Sequence, residues 1–206
     1  MPRAIHTIDS QEIITHVNSE WISFALKNGI PDADAAVFVG RSIWDFIEDE
    51  STIQIWRAIL DRVRSSQKVL QIQYRCDSPD RKRYMLMEIV PLPSQQIEMA
   101  NRVLKEESRT PVELLNPLTV HSWGPLVLCS WCKKLRVSPA VPERPEFEDW
   151  MEVEDALTKL NLFDLPGLPS ISHSICITCK NAFLKGLEQE SEEHSIIVLS
   201  QNEPSS

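Results

Sequence analysis

The sequence predicts an α+β chain: an antiparallel sheet with flanking helices in the first hundred residues, then a small metal-binding module. Three observations carry this expectation. Apolar spacing is helical from Ser51 to Ser66 and switches to alternation from Val69 to Asp77. The order of elements is two strands, helices, then three strands, without the β-α-β alternation of a parallel sheet. Four of the five cysteines form two C-x-x-C pairs, Cys129 with Cys132 and Cys176 with Cys179.

The elements follow in order. "HTIDSQEIITHVN" (His6 to Asn18) places two short apolar stretches around a polar Asp9-Ser10-Gln11 turn, a hairpin signal. Asn18 can cap a helix in which Trp21, Phe24 and Ala25 share a face and which ends at Asn28-Gly29. A short helical stretch is expected around Arg41 to Ile47. From Ser51 to Ser66, Ile53, Trp56, Ile59, Leu60 and Val63 recur at helical spacing. In "VLQIQYRCD", Leu70, Ile72, Tyr74 and Cys76 fall on the core face and Gln71, Gln73 and Arg75 on the other. Cys76 is therefore expected to pack in the core. "SPDRK" is a turn, with Arg81-Lys82-Arg83 read as a solvated run, and "YMLMEIVPL" completes a hairpin. A fifth strand is expected around Ile97 to Leu104. His6 and His16 read as ordinary strand residues, with haem or metal ligation in a pocket as the alternative.

This order, with "HVNSEWISFALKNG" entering the first helix and "VGRSIWDFI" before the long one, resembles a PAS domain over roughly residues 5–105. The resemblance implies a sensor or protein-interaction module whose pocket holds an unidentified ligand, and it makes a homodimer plausible. The expected division is 1–105 as the PAS-like sensor domain and 106–125 as a proline-bearing linker. Residues 126–190 form the four-cysteine zinc-binding module, and 191–206 an acidic, polar and partly disordered tail. Within the module, a helix is expected from about Glu148 to Leu160, with Trp150, Val153, Leu157 and Leu160 on one side. "DLPGLPSIS" reads as a rigid loop, and a second helix is expected from near Cys176 to about Glu190.

Composition narrows the function. At 206 residues, 42% of them hydrophobic, the chain can bury a core. No run approaches the roughly 18 apolar residues of a membrane span. The stretch MPRAIHTIDSQEII lacks a secretory signal's apolar core, so a cytoplasmic protein without membrane contact is expected. Net charge is −9, and the half carrying the cysteine pairs is the more acidic, which disfavours a nucleic-acid backbone as partner. With five glycines, a phosphate-cradling loop has nowhere to sit. No nucleophile–base pattern or open metal site emerges, and the chain is not expected to be an enzyme.

The cysteine spacing is C-x2-C-x43-C-x2-C. Zinc takes four ligands tetrahedrally, and two such pairs close its coordination sphere, the arrangement of structural sites. The separation exceeds the roughly 15–20 residues of a simple ribbon. An iron–sulfur cluster and a redox dithiol are the competing readings of four thiolates; haem attachment is excluded because Lys133 and Lys180, not histidines, follow the pairs. "CITCKNAFLKGLEQE" puts the second pair at a helix start, where unpaired N–H groups favour thiolates. A knuckle pair followed by a helix-start pair resembles a treble-clef zinc finger. Four thiolates on Zn²⁺ leave a net −2, which Lys133, Lys134, Arg136 and Lys180 are placed to offset. His173 is expected to support the site from outside the ligand set, and Trp131 to pack against Trp123 or Trp150 rather than to sit exposed.

"CSWCKKLRV", "WMEVEDAL" and "SHSICITC" resemble a C-terminal module found beside PAS and receiver domains in bacterial signalling proteins, with a pattern of roughly CSWCKKIR, W-x-x-VE and SHGICPxC. Here Ser174 replaces the glycine and Ile177 the proline. The four cysteines and His173 match. The resulting expectation is a stand-alone sensory or adaptor protein of bacterial signal transduction, acting through signalling-protein partners, with structural Zn²⁺ on Cys129, Cys132, Cys176 and Cys179. A thiol-based redox switch with releasable zinc and a nucleic-acid-binding zinc finger are the alternatives.

Overall fold

A computed structural model describes residues 3–116, 119, 121–139, 144–162, 167–188 and 194–198. Strands β1 (Ala4–Ile8) and β2 (Ile14–Val17) form the first hairpin. Its turn is held by the Asp9 carboxylate, which accepts from the Gln11 and Ile13 amides at 2.8 and 3.0 Å. Asn18 caps α1 (Ser19–Lys27): its Oδ1 accepts from the Trp21 and Ile5 amides, both at 2.9 Å, so one side chain fixes the helix to β1. Gly29, at φ 89°, takes the left-handed conformation that ends this turn of chain. A four-residue helix absent from the sequence expectation, α2 (Ala35–Phe38), follows on an Asp34 cap and buries Phe38. The stretch expected as helical around 41–47 is a 3-10 turn, Ile43–Phe46.

The long helix α3 (Glu50–Ser66) starts on Asp49, whose carboxylate accepts from the Thr52 amide at 2.7 Å, and stops at Gln67 in the left-handed region. Ile55, Ile59, Leu60 and Val63 are its buried stripe. A meander of β3 (Val69–Arg75), β4 (Arg81–Pro91) and β5 (Ile97–Ser108) then pairs antiparallel, with Ile72 opposite Met87 and Ile89 opposite Met99. The result is an α+β arrangement: an antiparallel sheet with helices packed on it.

The second sheet is built from β6 (His121–Cys129), β7 (Leu135–Arg136), β8 (Trp150–Met151) and β9 (Leu168–Ser174), in the order β8-β7-β6-β9. Helices α4 (Val153–Lys159) and α5 (Ile177–Glu188) accompany it. A last strand, β10 (His194–Val198), returns to the first sheet and lies parallel beside β3, giving the order β10-β3-β4-β5-β1-β2. Gly186 allows this return. A Cβ there would stand 2.5 Å from Ile197 Cγ1, so α5 can lie against β10 only through a residue without a side chain.

Several expectations are corrected. Trp150 is in a strand paired with Arg136, and the helix begins only at Val153, because residues 150 and 151 complete the edge of the second sheet. The segment read as a rigid loop is strand from Leu168 onward; its start, 164–166, lies outside the described residues. Much of 106–125 is ordered: β5 runs to Ser108, Val112 and Leu114 are buried, and β6 begins at His121. The tail contributes β10, while 191–193 and 199–206 lie outside the described residues. Arg75, assigned to the polar face, is 2% exposed. The run Arg81-Lys82-Arg83 is not simply solvated: Lys82 pairs with Glu152 and Glu154 at 3.2 and 3.1 Å, and Arg83 donates to the Cys76 carbonyl at 2.7 Å. Cys76 is half-buried, just past the end of β3.

Two buried clusters result. The smaller joins Val112, Leu114, Leu128, Leu135, Val153 and Leu157. The larger runs without a break from the first sheet and α3 to Trp131, all four paired cysteines and Phe183. The cysteine-bearing part is thus packed into the core of the first half.

Candidate metal centre and adjoining cavity

Strands β6 and β9 run parallel, with Leu128 opposite His173 and Cys129 opposite Ser174. This register delivers both cysteine pairs to one end of the second sheet. The first pair occupies the turn between β6 and β7. There Cys129 donates its amide to the Lys134 carbonyl at 2.8 Å, the Lys133 amide returns to the Cys129 carbonyl at 3.1 Å, and Lys133 adopts φ 59°. Ser130 donates to the Ser174 carbonyl at 2.8 Å and locks the turn to β9. The second pair opens α5. Cys176 precedes the helix and its Sγ accepts from the Cys179 amide at 3.5 Å, a thiol doing the work of a polar cap. The Cys176 amide in turn points to Cys129 Sγ at 3.5 Å.

The four sulfurs lie within 4.8 Å of one another, and all four residues are buried. Cys132 Sγ and Cys176 Sγ are 3.8 Å apart. A single ion bound tetrahedrally through metal–sulfur bonds of about 2.3 Å requires sulfurs roughly 3.8 Å apart. The site fits one ion, whereas the core of an iron–sulfur cluster would spread its cysteines further. Hydrogen bonds from Cys132, Cys176 and Cys179 hold the Cys129 thiol well below the usual thiol range, and hydrogen bonding to Cys129 pushes Cys132 and Cys179 up. Four thiols crowded so closely cannot all ionise unless a cation is among them.

His173 is exposed on β9 and stands outside the sulfur group. It lines a groove with Lys133, Glu48 and Asp49. Of the cations expected to balance the thiolates, Arg136 pairs instead with Glu148 at 3.5 Å. Trp131, between the two knuckle cysteines, is 3% exposed and so is packed, as expected, but its ring partners are others. They are Trp56 of α3 at 5.3 Å, Tyr74 of β3 at 6.3 Å and Phe183 of α5 at 4.5 Å. Its carbonyl accepts from the Arg75 amide at 2.8 Å.

Sequence reading missed the ion network beside this contact. Arg75 reaches Asp77 and Glu152, the latter at 2.7 Å; Arg109 reaches Asp77 at 3.2 Å and Glu154 at 3.5 Å. The Asp77 side chain is 1% exposed. Burial works to lower the Arg75 pKa, but the hydrogen bonds and charges of Asp77 and Glu152 outweigh it and raise it. The alternation rule concealed Arg75, because a strand's polar face is buried wherever another module packs on it.

Between the first sheet and its helices is a cavity of about 300 Å³, lined by His6, Trp21, Phe38, Trp56, Met87 and Met99 among others. His6 Nδ1 is buried without a hydrogen-bond partner. Burial lowers the His6 pKa from 6.5 to about 4. The unfolded chain therefore binds a proton near pH 6.5 that the folded chain refuses until about pH 4. The stabilisation is complete above pH 6.5 and is lost as pH falls from there toward 4. His6→Phe is expected to lose about 2 kcal/mol less than the parent between pH 7 and pH 5, measured by urea unfolding at both values. Identical losses would show that His6 does not titrate abnormally.

Among the described residues, no helix is long and apolar enough to cross a membrane. No family model matches the chain, and no curated protein matches it. Among solved structures, the chain is similar to a sensory box sensor histidine kinase from Vibrio cholerae. The two are 16% identical, with 51% of this chain and 84% of that chain covered and a TM-score of 0.39. It is also similar to a domain of an HTR-like protein from Haloarcula marismortui, 20% identical, with 51% and 100% covered and a TM-score of 0.34.

Proposed function

We propose that this protein is a non-catalytic sensory or adaptor component of bacterial signal transduction. Its PAS-like half senses, and a treble-clef-like module on one structural Zn²⁺ presents the outcome to signalling-protein partners. One observation carries this reading. Trp56 lines the cavity on one side and packs its ring, tilted by 38°, against Trp131, between Cys129 and Cys132, on the other. A change in the cavity wall is thereby felt at the metal knuckle through a single ring contact.

Zinc is favoured by the donor set. Four buried thiolates suit a borderline-soft ion with no geometric demand of its own, and a closed sphere of four leaves no position for substrate. The hairpin knuckle and the helix-start pair are the two halves of a treble clef. Native mass spectrometry of the purified protein tests the reading, since it weighs the ion, any pocket ligand and the oligomer together. One zinc per chain with four reduced paired thiols is expected. A metal-free protein with those thiols reduced would overturn it, and zinc released by mild peroxide would move the assignment to a redox switch.

A further inference from the structure

A groove of about 560 Å³ follows the seam between the two halves of the chain. The first half lines it with Glu48 and Asp49, and the second with Ser130 and Lys133 of the cysteine turn and His173 of β9. Trp56 and Ile171 supply apolar surface between them. One side therefore carries acceptors and the other donors. Among the described residues, the side chains of Glu48, Ser130, Lys133 and His173 make no hydrogen bond or ion pair. Asp49 spends Oδ2 on the Thr52 amide and hydroxyl, at 2.7 and 2.8 Å, which leaves Oδ1 open. Asp45, also on the rim, is already paired with Arg41 at 3.2 Å. Desolvation and Lys133 lower the His173 pKa while Glu48 and Asp49 oppose them, so the two sides sense each other across the groove without touching.

We propose that this groove binds a short free peptide as a zwitterion. Its terminal ammonium lies on Glu48 and Asp49 Oδ1, its carboxylate on Lys133, Ser130 and His173, and its apolar middle over Trp56 and Ile171. A ligand of one charge would meet a complementary side and a repelling one, whereas a zwitterion forms charge-assisted hydrogen bonds at both ends. Size favours a peptide over a single amino acid. On the scale in which about 150 Å³ takes one benzene ring, the groove accommodates roughly three residues. Because its ends are held by different halves, an occupant ties the start of α3 to the cysteine turn.

Calorimetric titration of the full chain tests this with alanyl-leucyl-alanine, its N-acetyl form and its C-terminal amide. The free tripeptide is expected to bind, and each blocked form to bind about 10-fold more weakly, the ratio of one lost hydrogen-bonded charge. Glu48→Gln is expected to shrink the penalty for acetylation and to leave that for amidation, and Lys133→Gln to do the reverse. The proposal is overturned if the blocked forms bind as tightly as the free tripeptide, if either penalty is indifferent to its variant, or if none of the three binds. Tighter binding of N-acetyl-lysyl-leucyl-glutamate amide would also overturn it, in favour of a segment of a partner chain. The comparison among peptides uses the parent protein and stands even where a variant fails to fold. Failure of the peptides leaves the zinc and signalling assignments in place, since neither uses this groove.

Discussion

On the proposed zinc reading, removing the ion by chelation, or replacing Cys176 with serine, is expected to unfold the C-terminal module and to loosen the face of the first sheet that it covers. A serine at 176 can still accept from the Cys179 amide as the sulfur does, so the helix cap survives while one metal ligand is lost. The loss is expected to be large, because binding energy in a structural zinc site is folding energy, on the order of 10 kcal/mol in zinc-finger peptides. Trp131 provides the readout. Its ring is buried against Trp56 and Phe183, so its emission should shift to the red and the α5 amides should lose protection from hydrogen exchange. A metal-free protein with unshifted emission and protected α5 amides would show that packing alone holds the module.

The second large effect is expected at Asp77. Its carboxylate is shared by Arg75 and Arg109, and all three side chains are almost wholly buried. Asp77→Ala leaves two buried guanidiniums competing for Glu152 and Glu154, which are more exposed. Breaking a buried pair in this way costs about 3–5 kcal/mol. Asp80→Ala, three residues on and 59% exposed, is the control and should change stability by less than about 0.5 kcal/mol. Urea unfolding followed by tryptophan emission measures both. Equal values for the two variants would mean that the network does not hold the halves together.

Much of this was legible in the sequence because it depends on local periodicity and local chemistry. Asn18 as a cap, the apolar stripe of α3, the β3–β4 hairpin and each C-x-x-C motif follow from residues close together in the chain. Other features depend on what packs where. Arg75 looks like a solvent-facing strand residue until the second module covers that side and supplies Glu152. Trp150 fits a helical pattern with Val153 and Leu157, yet a two-residue edge pairing with β7 outweighs it. The apolar run of β10 suggests a strand, but its pairing is unreadable, since its partner β3 is more than a hundred residues away and its seat requires the bare backbone of Gly186.

By itself, then, the sequence determined the α+β class, the order of strands and long helices in the first hundred residues and the four residues suited to a metal, because ligand type and hydrophobic period act over short stretches of chain. The tertiary structure alone decided that the cysteine knuckle is no separate appendage. Parallel pairing of β6 with β9, the ring contact of Trp131 with Trp56 and the return of β10 to β3 are contacts between distant segments. No local preference encodes such contacts. They form because burying both halves against each other removes one continuous apolar surface from water.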